Sequence, residues 1–219
     1  MAETMPIWQF PPMSKSKRGI ALAASEEELE TTGDGRVQRG ARNRTLILDA
    51  LIELIREGDL RPTAEFVAKR AGVGLRTLFR HFDDMEALFA DMNGRVAQEV
   101  RQAFDSSAPP LGHLASRIHR LVELRTTIFE RIAPFMRSAQ IQRPFSPYLQ
   151  KQYAKTCREM RQQLEKILSS ELDGKPELLE ILDTLLSFES FNRLRTTQRL
   201  SRATVSASIE KAIRVLLGA

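Results

Sequence analysis

The chain has 219 residues, of which 42% are hydrophobic, and it carries a formal net charge of +5 at pH 7 and one cysteine, Cys157. A single cysteine excludes an intramolecular disulfide, and no apolar run approaches the roughly 18 residues that would predict a membrane span. The amino terminus also lacks the charged start and apolar core of a signal peptide, so we expect a cytoplasmic protein. The chain length predicts one medium domain, or a small domain fused to a larger one.

Positive charge is concentrated in one stretch of the chain. Residues 36–80 contain ten Lys and Arg against five Asp and Glu, an excess of five that equals the net charge of the whole chain. Such an excess is typical of a surface that binds phosphates, with a solvated basic face as the alternative.

Residues 1–40 are predicted to form a disordered tail, with a short helix near residues 20–29 as an alternative for that part. Early prolines oppose a helix there, later glycines loosen the end, and the segment contains too little apolar surface to fold by itself. Apolar residues at helical spacing then predict the first helix over 42–57, which Gly58 ends.

The stretch Thr63–Phe82 is predicted to form two short helices joined by a tight turn. Thr63 is a good N-cap for the first helix, and Gly72 supplies a turn conformation that is costly for other residues. The small side chain of Ala68 lets the two helices approach, and Leu78 fills the angle between them. This arrangement is a helix-turn-helix, whose second helix enters the major groove of DNA.

The motif is part of a longer pattern. It reads TxxxVAxRAGVGxxTLFRHF from Thr63 to Phe82, and Glu86-Ala87-Leu88 follows. Over about forty-five residues, from Arg44 to Leu88, the chain resembles the DNA-binding domain of the TetR family of bacterial transcription regulators. The resemblance implies an all-α protein with a three-helix DNA-binding domain at residues 41–83 and a larger helical ligand-binding and dimerisation domain at residues 84–219.

Two positions depart from the family's pattern. Met85 stands where the family often has a lysine that touches a phosphate, and Phe79 stands where it usually has a tyrosine whose hydroxyl bonds a phosphate. Each departure removes one expected contact with DNA. They give some support to an alternative in which the helix-turn-helix is mainly a scaffold and the protein acts by binding a ligand or partner.

The second helix of the motif supplies the predicted base contact. Arg76 is expected to reach a base edge, because a guanidinium can bond guanine bidentately. Gly74 and Leu75 begin this helix, where the backbone can approach DNA closely. His81 is either a phosphate contact or a packed cap on the domain, and we favour the cap. The other predicted DNA contacts are Arg44, in a basic arm that can reach the minor groove in this family, and the phosphate-facing Thr63, Lys69, Thr77, Phe79 and Arg80.

The remainder of the chain is predicted to consist of longer helices. They are expected over residues 83–104, 112–132, 148–172, 176–195 and 201–217. Pro134 is expected to kink or end the second of them. In the resembling family, the helix at 83–104 moves when ligand binds and so couples the two domains.

The last two predicted helices are apolar around much of their circumference. We expect them to form a subunit interface, with two helices from each monomer, and the family resemblance points the same way. A central core position within one monomer is the alternative. The predicted interface residues are Leu182, Leu185, Leu186, Phe188, Val205, Ile209 and Ile213.

A small-molecule effector of unknown identity is expected to bind among the helices between residues 92 and 191. Aromatic and Met side chains would line an apolar cavity, although each could be plain core, and an arginine could meet an anionic ligand or merely solvent. The predicted ligand contacts are Phe104, Arg117, Phe129, Phe135, Tyr153 and Met160.

No catalytic residue, metal site or cofactor is predicted. His81, His113 and His119 lack the spacing that places two metal ligands on one helix face, and the chain has no nucleophile motif or phosphate-binding loop. The helix-turn-helix and the family resemblance instead predict a homodimeric, ligand-responsive regulator, most simply a repressor. It is expected to bind a near-palindromic operator in double-stranded DNA and no membrane.

Overall fold

The computed structural model describes the backbone of residues 26–105 and 112–218, and the side chains of residues 37–102 and 112–218. All regular structure in these ranges is helical, which confirms the predicted all-α class. The α-helices are α1 (Glu26–Arg56), α2 (Ala64–Ala71), α3 (Leu75–His81), α4 (Met85–Asp105), α5 (Leu114–Gln142), α6 (Pro147–Ile167), α7 (Ser169–Leu172), α8 (Pro176–Leu185), α9 (Phe188–Asn192) and α10 (Arg202–Leu217). A 3₁₀ turn (Arg143–Phe145) joins α5 to α6, and a π turn (Arg193–Thr197) follows α9. None of the described helices combines the length and apolar character needed to cross a membrane.

The first helix begins earlier than the sequence indicates. α1 starts at Glu26, so the prediction of an irregular tail is wrong for residues 26–40. An isolated glycine costs a helix only about 1 kcal/mol, and this segment places its glycines among good helix formers such as Glu and Arg. Residues 1–25 of the predicted tail lie outside the described residues. Backbone contacts group residues 40–219 into one compact unit.

Two predicted helix ends also differ. α5 continues through Pro134 to Gln142, and the predicted helix at 176–195 is divided. Ser187 causes this division, because its hydroxyl accepts a hydrogen bond from the Ser190 amide (3.2 Å) and so caps a new helix. An N-cap serine inside an apolar run is easily overlooked when hydrophobic spacing alone defines the helix.

The first apolar core lies beneath the helix-turn-helix. It joins α1, α2, α3 and the first half of α4, and α5 contributes one buried side chain, Phe135, whose ring lies 5.5 Å below the Arg56 guanidinium. The buried residues of α1 to α4 are Ile47, Ala50, Leu51, Ile52, Leu54, Ile55, Ala64, Val67, Ala68, Leu78, Phe82, Leu88, Phe89, Met92 and Val96. This core holds the two motif helices at a set angle.

The turn of the motif has the geometry that its sequence predicts. The Thr63 hydroxyl accepts a hydrogen bond from the Phe66 amide (3.4 Å) and caps α2. Gly72 ends α2 with φ +67°, a left-handed conformation that costs other residues energy. The Val73 amide then donates to the Ala68 carbonyl (3.0 Å), which completes the turn before α3.

The second apolar core lies among α5 to α10. Three phenylalanines meet at its centre, and the Phe129 ring lies 5.7 Å from Phe188 and 5.6 Å from Phe191. Such aromatic pairs stabilise a fold by more than the burial of their apolar area alone. The remaining buried members are Ile118, Leu121, Val122, Ala133, Leu164, Leu168, Leu172, Leu179, Leu182, Leu186, Val205, Ile209 and Ile213.

A buried arginine crosses this second core. The Arg125 guanidinium donates to the backbone carbonyls of Met160 (2.6 Å) and Leu186 (3.2 Å), and so joins α5 to α6 and to the end of α8. Burial lowers the pKa of Arg125 to about 10, so the side chain stays charged at neutral pH. Hydrogen bonds to carbonyls partly offset the desolvation of a charge that no carboxylate pairs with in the described residues.

The fold predicts unequal costs for the same substitution at two positions of α3. Leu78 is fully buried whereas Leu75 is 39% exposed. Leu78→Ala should lower the free energy of unfolding by about 2–5 kcal/mol, because it opens a cavity in the core. Leu75→Ala is the matched control and should cost less than about 1 kcal/mol. Urea unfolding of both variants measures the difference, and equal losses would contradict the packing described for α3.

Candidate DNA-binding surface and effector cavity

The recognition helix α3 presents one apolar and one basic face. Leu78 points into the core, while Arg76, Phe79 and Arg80 are exposed. Gly74 begins the helix, and a Cβ atom added there would meet no other atom within 4 Å. The start of α3 is therefore open to the close approach of another molecule.

Free positive charge lies on the two motif helices. Lys69 is exposed at the end of α2, and within the described residues no carboxylate forms an ion pair with Lys69, Arg76 or Arg80. Arg70 differs, since its guanidinium donates to both carboxylate oxygens of Glu57 at 2.8 and 2.7 Å. The family pattern includes Arg70, and here this arginine fastens α2 to the end of α1.

Arg44 has partners within the protein. Its guanidinium forms an ion pair with Asp91 of α4 and lies 4.5 Å from the centre of the Phe82 ring. The predicted contact of Arg44 with DNA would have to compete with both interactions. The structure thus gives Arg44 a packing role between α1 and α4 that the sequence analysis did not foresee.

His81 lies at the end of α3 with its ring partly buried. Its Nε2 atom is buried without a hydrogen-bond partner, and Cε1 lies 3.8 Å from the point where a Cβ on Gly40 would stand. Burial, followed by the nearby charges of Arg80 and Arg44, lowers the pKa of His81. These features support the packed cap over a charged phosphate contact.

Phe66 is a candidate that the sequence analysis missed. It lies in the first turn of α2 and is 59% exposed, more than the 44% of Phe79 on α3. The helical spacing could have indicated this exposure. Ala64, Val67 and Ala68 form the buried face of α2, and Phe66 does not belong to that face. An exposed aromatic at this position extends the apolar part of the surface beside the basic residues.

A cavity of about 520 Å³ lies between α4, α5 and α6. Tyr153 and Met160 line it, as predicted for ligand contacts. Further lining residues that the prediction did not include are Asn93, Val96, Met136, Arg143, Tyr148 and Glu159. The polar members of this group come from α4, the 3₁₀ turn and α6, which meet only in the folded chain, so spacing alone did not identify them.

Four other predicted ligand contacts lie elsewhere. Phe129 fills the second core, and Phe135 fills the first core, so neither reaches the cavity. Arg117 donates to both carboxylate oxygens of Glu171 (2.5 and 3.1 Å), which satisfies the charge that was predicted to meet a ligand or solvent. The side chain of Phe104 lies outside the described residues.

The predicted subunit-interface residues are also placed differently. All but Leu185 are buried within the core of the single chain, which is the alternative that the sequence left open. The chain itself thus covers Leu182, Leu186, Phe188, Val205, Ile209 and Ile213, and their assignment to a subunit interface stays a prediction. Periodicity identified the apolar face of each helix correctly but could not tell which neighbour would cover it.

Two bonds connect the region around the cavity with the helix-turn-helix region. The buried Ser146 hydroxyl caps α6 and donates to a Glu86 carboxylate oxygen (2.5 Å) in the first turn of α4. The Ser138 hydroxyl of α5 donates to the Leu60 carbonyl (2.8 Å), in the loop before α2. Both contacts lie within two helical turns of residues that line the cavity.

Comparison with known proteins supports the DNA-binding assignment. Residues 47–92 match the family model described as bacterial regulatory proteins, tetR family. No curated protein sequence matches the chain.

Solved structures share the fold over most of the chain. A transcriptional regulator from Rhodococcus sp. Rha1 has 17% identity and a TM-score of 0.64, and the match covers 82% of this chain and 96% of that one. A transcriptional regulator from Aquifex aeolicus VF5 has 16% identity and a TM-score of 0.56, with 80% and 99% covered. These likenesses establish the common architecture of a helix-turn-helix followed by a helical body.

The family match and the motif geometry lead to one assignment. The match spans α1 from Ile47, the whole helix-turn-helix and the first part of α4, which is the segment that packs as the first apolar core. The matched family consists of bacterial regulatory proteins, which are not enzymes. Residues 47–92 are thus similar to the DNA-binding domain of bacterial regulatory proteins of the tetR family.

Proposed function

We propose that the protein is a homodimeric repressor that binds a near-palindromic operator and releases it when a small molecule enters the body. The observation that carries this proposal is the surface of α3 and α2, where Arg76, Arg80 and Lys69 are exposed beside an open helix start at Gly74 and have no carboxylate partner among the described residues. As a DNA-bound regulator it would work in the bacterial cytoplasm.

The two kinds of DNA contact would come from different positions. Arg76 follows the first residue of α3, where a side chain can enter the major groove and bond a guanine edge. Lys69 and Arg80 would neutralise phosphates, together with Thr77 and the backbone near Gly74. Phe79, with no hydroxyl, would pack against the sugar-phosphate edge.

A dimer follows from the size of the recognition helix. α3 has seven residues and can contact few base pairs, so specific binding would need two heads reading two half-sites. The exposed apolar surface that fits a partner lies on α8 and α10. Ile181 is 47% exposed, Val215 is 73% exposed, and the small residues Ala203 and Ala207 leave room for a close helix approach.

The response to a ligand would use the bonds beside the cavity. Ligand contact with α6 would shift Ser146, and with it Glu86 at the start of α4, a few residues after the recognition helix. The effect on DNA affinity could not exceed the ligand's preference for one state over the other.

The operator itself provides the test of function. Duplex DNA of random sequence would be selected by the purified protein and sequenced. We expect a twofold-symmetric motif, with half-sites about one helical turn apart or a small multiple of it. A folded dimer that enriches no motif at moderate salt would contradict the proposal and favour a scaffold role for the helix-turn-helix.

Substitutions on the motif should separate base reading from phosphate binding. Arg76→Ala should reduce discrimination at one operator position by about 1–3 kcal/mol. Lys69→Ala should weaken binding to all sequences alike and reduce the salt slope by about one. Titration of matched and mismatched duplexes at several salt concentrations measures both. Unchanged discrimination in Arg76→Ala would refute its role as the base contact.

The packed-cap assignment of His81 predicts a dependence of stability on pH. Since the pKa of His81 is lowered in the folded state, the unfolded chain binds the proton more readily, and stability should fall as pH drops through about 6.5. His81→Phe removes this titration and should lose less stability between pH 7.5 and 5.5. Urea midpoints at both pH values measure the two losses, and identical losses would show that the ring titrates as it does in water.

Disruption of the α8–α10 surface should produce monomers. Ile181→Glu places a charge in the proposed interface, whereas Ile141→Glu changes an equally exposed residue (41%) at the end of α5. Light scattering should find Ile181→Glu monomeric and Ile141→Glu dimeric, and only the former should lose operator affinity. A dimeric Ile181→Glu protein would place the interface on another surface.

A further inference from the structure

The cavity has walls of two different kinds. α4 and α5 contribute the apolar side chains of Val96, Val100, Ile132 and Met136, and the polar Asn93 and Arg101 of α4 flank them. The end of α5, the 3₁₀ turn and α6 contribute polar and charged groups on the other side. A molecule that fills this space must therefore have an apolar body and a polar end.

Arg143 is the cation that defines the polar end. Its guanidinium lies 3.7 Å from the centre of the Tyr153 ring, and both residues line the cavity. Among the described side chains, no carboxylate forms an ion pair with Arg143. Stacking on an aromatic ring holds a guanidinium in place. Its N–H groups point outward within the guanidinium plane, so they can still donate to an acceptor at its edge.

The other charges near the cavity do not cancel Arg143. Lys155 and Glu159, which both line it, pair with each other at 3.7 Å. Glu189 lies behind Tyr153 and accepts hydrogen bonds from the Tyr153 hydroxyl (2.6 Å) and from Gln140 (3.3 Å). Arg101 adds a second unpaired cation to the lining, so the described charges in the cavity wall sum to a positive value.

We propose that the cavity binds an elongated organic anion, with its carboxylate on the Arg143 guanidinium and its apolar body along α4 and α5. A guanidinium matches a carboxylate with two parallel hydrogen bonds, and the apolar wall excludes water from the rest of the molecule. The inference names a ligand class for the effector site proposed above, and its regulatory meaning rests on that function. Binding of the anion does not depend on it.

The position of Arg143 also gives the anion a route to the DNA-binding helices. Arg143 begins the 3₁₀ turn, and its carbonyl accepts hydrogen bonds from the Ser146 amide (3.3 Å) and from the Gln150 side chain (3.1 Å). Ser146 in turn donates to Glu86 of α4. A carboxylate bound to this guanidinium would therefore act on a turn that is bonded to α4.

Matched probes test the proposal on the full-length protein. Decanoate, 1-decanol and decylamine share one apolar chain and differ in the charge of the end group. Calorimetric titration should show one decanoate bound per chain, at least tenfold more tightly than the alcohol, and no saturable binding of the amine. Equal affinity for acid and alcohol, tighter binding of the amine, or no binding of decanoate at millimolar concentration would overturn the proposal.

Two arginine variants locate the acid. Arg143→Gln should weaken decanoate binding about tenfold or more while leaving the alcohol unchanged, and Arg120→Gln, an exposed residue of α5 outside the cavity, should change neither. Thermal unfolding without ligand confirms that each variant is folded. A loss in Arg101→Gln instead of Arg143→Gln would overturn the assignment of Arg143.

A DNA titration separates this inference from the proposed function. Decanoate that binds through Arg143 but leaves operator affinity unchanged would refute effector control and retain the anion site. Operator binding by a protein that does not bind decanoate would refute the anion site and retain the proposed DNA-binding function.

Discussion

The burial of Phe135 beneath the helix-turn-helix is the contact on which the arrangement of this protein depends. Phe135 belongs to α5, the long helix of the body, yet its ring completes the core formed by α1 to α4 under Arg56. One turn further along α5, Ser138 bonds the loop before α2. The platform of the recognition helix is thus built partly from the helix that also forms a wall of the cavity.

This shared core mechanically connects the helix-turn-helix with the helices around the cavity. A close-packed interior does not deform continuously, so a small displacement of α5 or α6 must be taken up by the packing around Phe135 or by the bonds of Ser138 and Ser146. The three contacts lie at different heights along α5 and at the start of α6. Together they resist independent movement of the helix-turn-helix relative to α5 and α6.

Local features could be predicted from the sequence and long-range packing could not. The helix-turn-helix depends on neighbours within twenty residues, and Thr63, Gly72 and Leu78 each have the role that the sequence predicts. Phe135 and Leu182 lie in apolar cores whose other members are distant in the sequence, so their surroundings could not be predicted. Helical spacing shows that such side chains face inwards, but the partner that covers them is distant in the sequence. The cavity was therefore located only in part, through Tyr153 and Met160.

Charged residues were the hardest to place. Arg117 and Arg125 both belong to α5, yet Arg117 pairs with Glu171 whereas Arg125 lies fully buried and donates to backbone carbonyls. Spacing contains no information about the burial that separates them. Arg44 and Arg70 likewise belong to a basic stretch typical of DNA binding, and both pair with carboxylates of neighbouring helices. Positive charge counted along the sequence thus overstates the charge that is free on the surface.

The manner in which Arg125 is held has a consequence for how this protein can diverge. Its acceptors are main-chain carbonyls at Met160 and Leu186, which every amino acid supplies. Side chains at both positions can therefore change without leaving the buried guanidinium unpaired. Met160 faces the cavity, so mutations there can alter what the cavity accepts while the cross-link between α5 and α6 persists. The cross-link in the core is thus independent of side-chain identity at Met160, whereas the shape of the cavity wall depends on it.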